Sequence, residues 1–178
     1  MIWVGVGTVA FGLMVLFEIR KCHSLQKGKE RKNPWFTIGV FLLILAFVMG
    51  AIQFGLATGG RLAIGAVILI IGLVFYKKVL AVATEEDGQG YREDRMKTPV
   101  SRTGIYNVIR HPGVWSFLLC AIGYGYMVPD GLIMALWFAV LNGGYTWLQD
   151  RYYFPIYLEG YEIYREEVPY LFPKRKGR

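Results

Sequence analysis

Long apolar runs alternate with short polar ones along the chain. Ile2 to Phe17, Trp35 to about Thr58 and Leu62 to about Val82 reach or approach the ~20 apolar residues that carry a helix across a bilayer. Pro34 opens the second run, and Lys77 and Lys78 fall late enough in the third to snorkel to the interface. A polar, turn-rich stretch from Thr84 to Arg110 follows. Two shorter apolar runs, Gly113 to Val128 and Leu132 to Leu148, flank Pro129-Asp130-Gly131, a strong turn signal. They predict a tight helical hairpin. In the last 29 residues tyrosines mix with charges. Pro155 marks a break or a helix start. Tyr157, Tyr161 and Tyr164, spaced by four and three, predict one face of an interfacial helix ending near Val168-Pro169. The expected fold is all-α: a polytopic integral membrane protein of about five transmembrane helices, with a C-terminal helical hairpin and an interfacial tail helix. Residues 1–83 supply the N-terminal membrane helices. Residues 84–178 supply the loop, hairpin and tail of the functional core, within one integrated domain.

Composition agrees with that pattern. Of 178 residues 54% are hydrophobic and 19% charged, against about a quarter charged in soluble domains. The mean hydropathy is +0.37. A net charge of +7 raises the question of nucleic acid, but the basic residues alternate with apolar runs and build no continuous stripe, so no nucleic-acid partner is expected. Six Lys and Arg follow the first run (Arg20, Lys21, Lys27, Lys29, Arg31, Lys32), one follows the second (Arg61), seven lie from Lys77 to Arg110 and six from Arg151 onward. By the positive-inside rule this puts the N-terminus outside and the C-terminus in the cytoplasm. A re-entrant hairpin in place of two crossings gives the same faces. The first run has no basic leader or cleavage site and is read as a retained membrane helix, not a signal peptide. Cys22 and Cys120 are too far apart in depth for a disulfide, and no metal-ligand spacing is present, so no metal is expected. Cys22 is read as an inert cysteine in a basic loop. Gly55-xxx-Gly59 and Gly143-Gly144 are expected to let helices approach closely.

This topology brings TGIYNVIRHP and QDRYYFPIYLEGYEIYREEVP to the same side of the membrane, where they can build a pocket. Arg110-His111-Pro112 comes first. Pro112 suits the first turn of a helix. Arg110 either snorkels to lipid phosphates or holds a carboxylate with two hydrogen bonds, and His111 either caps the helix or carries a proton. Asp150 lies just past an apolar helix, where a carboxylate is either a solvated helix end or a partner of Arg110. The tyrosines form an aromatic belt or the wall of a site for a flat or cationic group. Gly123-Tyr124-Gly125 follows no strand, so it is no dinucleotide loop, and Walker, GxSxG and HExxH motifs are missing.

In these two segments the chain resembles the isoprenylcysteine carboxyl methyltransferase and phospholipid methyltransferase superfamily. Its pattern reads approximately GxYxxxRHPxYxGxxxxxxG, a gap, then EExxLxxxFGxxYxxYxxxVPxxxP. Gly104, Tyr106, Arg110, His111, Pro112 and Gly123 fall in register, as do Tyr161, Tyr164, Val168, Pro169 and Pro173. Val114 and Ser116 replace a tyrosine and a glycine, Gln149-Asp150 replace the paired glutamates, Tyr153 the leucine and Tyr157-Leu158 the Phe-Gly. The resemblance covers about the last 80 residues and marks a divergent branch. It implies an S-adenosylmethionine-dependent methyltransferase acting on a lipophilic or lipid-linked acceptor (a carboxylate, amine or thiol), with membrane lipids around it. It implies a cofactor site at Tyr106, His111, Pro112, Tyr161 and Tyr164. Arg110 and Asp150 are the residues expected to carry catalysis, by complementing charges on the cofactor's amino-acid group or on the acceptor. Two alternatives stand beside it. One is an NADPH-dependent, sterol-reductase-like enzyme drawing on Arg92, Arg95, Lys97 and Arg102. The other is a non-catalytic membrane protein on the same scaffold.

Overall fold

The computed structural model describes residues 2–28, 33–90 and 98–173, with 83–90 and 98 given by their backbone alone. Lys29, Arg31, Lys32, Arg92, Arg95, Lys97, Lys174, Arg175, Lys176 and Arg178, which entered the charge count, lie outside the described residues.

The architecture is helical. Helix α1 spans Ile2–Gln26, α2 Trp35–Phe54, α3 Gly59–Gly90, α4 Pro112–Met127 and α5 Leu132–Leu148. The apolar run of the first helix ends at Phe17, but the helix does not. Glu18 to Gln26 contains good helix formers and no glycine or proline, so the hydrogen-bond ladder continues while hydropathy falls. Cys22 is therefore a buried residue of α1 and not part of a loop. Likewise α3 runs past its apolar stretch into the polar segment that begins at Thr84. Gly55, at φ +79°, ends α2, and its N–H returns to the Ala51 carbonyl.

The core lies between α1, α2, α4 and α5. Ala10, Phe11 and Met14 meet Leu43 and Ala46, Ala121 and Tyr124, and Met134, Ala135 and Phe138. The Phe138 ring lies over Gly7, and Phe47 meets Phe138 and Tyr124 edge-on at 5.2 and 4.8 Å between centroids. Helix α3 lies along α4. Here the close approach is backbone to backbone: a Cβ at Gly123 would lie 2.6 Å from the Leu69 nitrogen, and one at Gly65 2.8 Å from the Gly123 carbonyl. The glycines expected to serve this purpose do not. Gly55 caps α2 and Gly59 opens α3, both with positive φ, and nothing lies within 4 Å of a Cβ at either of them or at Gly143 or Gly144.

The outward face of α3 shows Ile64, Val67, Ile70, Ile71, Leu73 and Val74, each more than half exposed. A continuous apolar face of that length is incompatible with water. Among the described residues four helices are long and apolar enough to cross a membrane: Ile2–Gln26, Trp35–Phe54, Gly59–Val82 and Pro129–Tyr157. The chain is a membrane protein. Helix α4, at 16 residues, is not one of the four.

After the 3-10 turn Pro129–Gly131 and helix α5, the chain enters a π-helical turn, Gln149–Tyr153. A short α6, Phe154–Tyr157, carries Pro155 in its first turn. Strand β2, Leu158–Glu159, then pairs in parallel with β1, Thr98–Pro99. Gly160, at φ +76°, turns the chain into α7, Tyr161–Glu167. The tyrosine stripe expected on one continuous helix is thus divided. Tyr157 belongs to α6, and Tyr161 and Tyr164 to α7, because the strand and the left-handed glycine interrupt the helical period.

A buried candidate site at the helix ends

Pro112 occupies the first turn of α4, where its missing N–H leaves no carbonyl without a partner, and His111 precedes it outside the helical conformation, at φ −126° and ψ 63°. The segment is moored to the end of the chain. The Arg110 N–H donates to the Pro169 carbonyl at 2.9 Å, the His111 N–H to Tyr170 at 3.3 Å and the Trp115 indole to Leu171 at 2.9 Å. The opposing carboxylate, Asp150, is presented by the π-turn. A π-turn adds a residue to a helical stretch and re-aims the side chains on it.

The carboxylate gathers three side chains. Asp150 Oδ1 accepts from Arg110 Nε at 2.9 Å, from His111 Nε2 at 2.8 Å and from the Tyr161 hydroxyl at 2.7 Å. Its Oδ2 accepts from Arg110 Nη2 at 3.3 Å. Arg110 Nη1 donates to the carbonyls of Arg165 and Val168, the latter at 2.7 Å. Four of the five guanidinium N–H groups therefore have partners among the described residues. The arrangement is an ion pair with most of its lone pairs and protons satisfied, which is the condition for burying one at acceptable cost. The side chains of Arg110, His111 and Asp150 are 8%, 6% and 11% exposed.

Since the carboxylate only accepts, the His111 contact assigns the proton to Nε2 and leaves the lone pair on Nδ1. His111 lies before the apolar run of α4. Burial lowers its pKa below the ordinary 6.5, and Arg110 adds to that, while Asp150 pulls the other way without prevailing. The ring is neutral at pH 7. Arg110 already balances Asp150, so a second cation has little to gain there. Phe154 stacks on the imidazole at 5.7 Å, and Tyr170 meets it edge-on at 4.9 Å. Phe154 also meets Tyr161 edge-on at 5.3 Å. Burial first, then Asp150, raises the Tyr161 phenol far above its usual value, so it stays a hydrogen-bond donor.

Of the residues singled out from sequence, Arg110, His111, Asp150 and Tyr161 share this one network. Tyr164 stands one step away, donating to the Tyr106 carbonyl at 2.6 Å. Tyr106 contributes that carbonyl, and burial, with Tyr76 adding to it, pushes its phenol up to about 12. Pro112 is buried and sets backbone direction. Ser116, where the family pattern has glycine, is fully buried and donates to the Gly113 carbonyl at 2.9 Å. Arg102 pairs with Glu167 at 2.6 Å on the surface. Among the described residues no group of three or more His, Cys, Asp and Glu side chains gathers as a metal site.

A second polar cluster is not evident in the sequence. Glu18 of α1, 2% exposed, accepts from Gln149 Nε2 at 2.6 Å and from the Tyr145 hydroxyl at 2.9 Å, both on Oε1. Its Oε2 accepts from the Tyr157 hydroxyl at 3.1 Å. The available signal is a lone acid one residue beyond an apolar run, in a stretch with no helix breaker. In comparisons with known proteins, no family model, no curated protein and no solved structure matches the chain.

Proposed function

We propose that this protein is a membrane-embedded, S-adenosylmethionine-dependent methyltransferase whose acceptor is a lipophilic carboxylate, amine or thiol. One observation carries the reading. Two segments 40 residues apart, each bearing half of a sequence pattern, meet in a single buried network of Arg110, His111, Asp150 and Tyr161. In the proposed topology the N-terminus is outside and α4 is the fourth of five crossings. Its 16 residues span about 24 Å and need a locally thin bilayer or the cover of α3 and α5 on either side. The network then faces the cytoplasm.

The donor set suits such a cofactor. The rings of Phe154, Tyr161 and Tyr170 surround the network with aromatic surface of the kind that attracts a sulfonium, one face of Phe154 resting on His111 and one of Tyr170 under the Arg110 guanidinium. The Arg110–Asp150 pair offers one charge of each sign beside them, as a zwitterionic amino-acid group requires. The cofactor, when bound, supplies an electrophilic methyl group. What the chain adds is alignment, a term that can reach roughly 7–11 kcal/mol when reactants are held in line. Arg110 and Asp150 orient, and Tyr106, His111, Pro112, Tyr161 and Tyr164 shape the cofactor's seat. The neutral His111, with a lone pair on Nδ1, can take the proton that an amine or thiol acceptor releases.

Thermal unfolding of detergent-purified protein with S-adenosylhomocysteine and, separately, NADPH tests this. Stabilisation by S-adenosylhomocysteine alone is the expected result, and stabilisation by NADPH alone overturns the reading in favour of a reductase. A non-catalytic role for the scaffold draws support from how completely Arg110 is engaged inside the protein. In that case a folded sample responds to neither ligand.

A further inference from the structure

The Glu18 cluster plays no part in the proposed cofactor site, yet it borders the same π-turn. Gln149 opens that turn and Asp150 is its next residue. Tyr145 lies one helical turn before it and Tyr157 four residues after it. Glu18 accepts from all three. In an uninterrupted α-helix Gln149 and Tyr157, eight residues apart, would point about 80° away from each other. Here both reach the same carboxylate, because the wider π-turn changes the rotation between them. Gln149 Nε2 also lies 3.0 Å from the Tyr145 hydroxyl, closing the cluster on one side. On the other, the Lys21 ammonium sits 3.6 Å over the Tyr157 ring.

Packing alone does not account for this carboxylate. Burying a charge costs several kcal/mol, and α1 is already held on α5 by Phe138 over Gly7 and by the bond from the Trp137 indole to Thr8 at 3.0 Å. What the carboxylate does, and an apolar side chain cannot, is fix three polar donors that bracket a π-turn on both flanks. We propose that Glu18 is a positioning residue: from α1 it clamps both ends of the π-turn and thereby sets Asp150 against Arg110 and His111. Its consequence for activity rests on the methyltransferase reading, whereas its consequence for geometry does not.

The chain has two histidines, and His23 is exposed. In a full-length His23→Gln background, nitrogen NMR of labelled histidine reports His111 alone. The groups that face His111 are Asp150, Arg110, Tyr161 and Tyr170. The reference protein is expected to show a neutral ring with the proton on Nε2, persisting below pH 6.5. Glu18→Gln is expected to mix the tautomers and move the titration up toward 6.5, as Asp150 shifts and water enters. Tyr157→Phe, which removes a single donor, is expected to do the same to a smaller degree, and it decides the matter where Glu18→Gln does not fold. Thr8→Val loosens the same α1–α5 interface away from the π-turn and is expected to leave His111 as it was. The proposal fails if Tyr157→Phe and every folded Glu18 variant keep the reference His111 signals, or if Thr8→Val moves them equally. S-adenosylhomocysteine affinity, measured by calorimetry on the same samples, is expected to fall on the order of tenfold to a hundredfold in Glu18→Gln. If the reference protein binds none, the methyltransferase reading falls, and the His111 signals alone decide the role of Glu18.

Discussion

Arg110 and Asp150 depend on each other. Removing one leaves the other charged, buried and unpaired, so Arg110→Ala and Asp150→Ala are each expected to destabilise the protein by on the order of 3–5 kcal/mol. Unfolding in detergent by a graded denaturant measures it, and a loss below about 1 kcal/mol would mean that water reaches the site. Arg110→Lys is expected to restore little, because an ammonium cannot span Asp150 and the two carbonyls of Arg165 and Val168 at once. The histidine sets the pH dependence. Its folded pKa lies below the unfolded 6.5, so between these values the unfolded chain binds the extra proton. The stability it contributes is complete above pH 6.5 and is lost as pH falls from there toward the folded pKa. The midpoint of thermal unfolding is expected to drop between pH 7 and 5, and to drop less in His111→Gln. These residues are legible in the sequence because the turn at Pro129-Asp130-Gly131 returns the chain to the side it came from, where an arginine before one apolar run and a carboxylate after the next can meet. Glu18 is not. Its partners lie 127 to 139 residues away, and no local pattern announces them.

At the scale of the element, the glycines separate two kinds of helix contact. Gly123→Ala places a methyl 2.6 Å from the Leu69 backbone nitrogen, where no rotamer change relieves it, and is expected to drive α3 from α4 and to destabilise strongly. Gly143→Ala and Gly144→Ala meet open space and are expected to be neutral or stabilising, by up to about 1 kcal/mol from helix propensity. Paired thermal unfolding of the three variants checks the contrast. Sequence spacing selects the wrong glycines. It does not say which face of a helix meets a neighbour, and Gly55 and Gly59 serve φ angles instead. Hydropathy also misplaces helix ends, because it marks where lipid stops while the hydrogen-bond ladder continues, as in Glu18 to Gln26. The division of the tyrosine stripe is illegible for a related reason. A two-residue strand and a left-handed glycine break a helical period that the tyrosine spacing still obeys.

For the whole molecule, the proposed orientation makes a direct prediction. A cysteine at Asp130 in a Cys22→Ser, Cys120→Ala background is expected to react with an impermeant maleimide from outside the cell. One at Glu166 is expected to react only after permeabilisation. Protection of the Asp130 position under both conditions indicates a re-entrant hairpin instead. The predominantly helical membrane architecture is legible from the apolar runs. Beyond α4 against α5, which helices lie side by side is not, because lipid and protein interior are equally apolar. The buried carboxylate of α1 also has a history during synthesis. The ribosome makes Glu18 long before the partners it will meet. At about 5–20 residues per second, the 127 residues to Tyr145 take roughly 6–25 s. Through that interval the first helix has to rest with an acid near the bilayer edge and its final ligands not yet made. The contacts that satisfy this carboxylate are therefore complete only once the chain has been made as far as Tyr157.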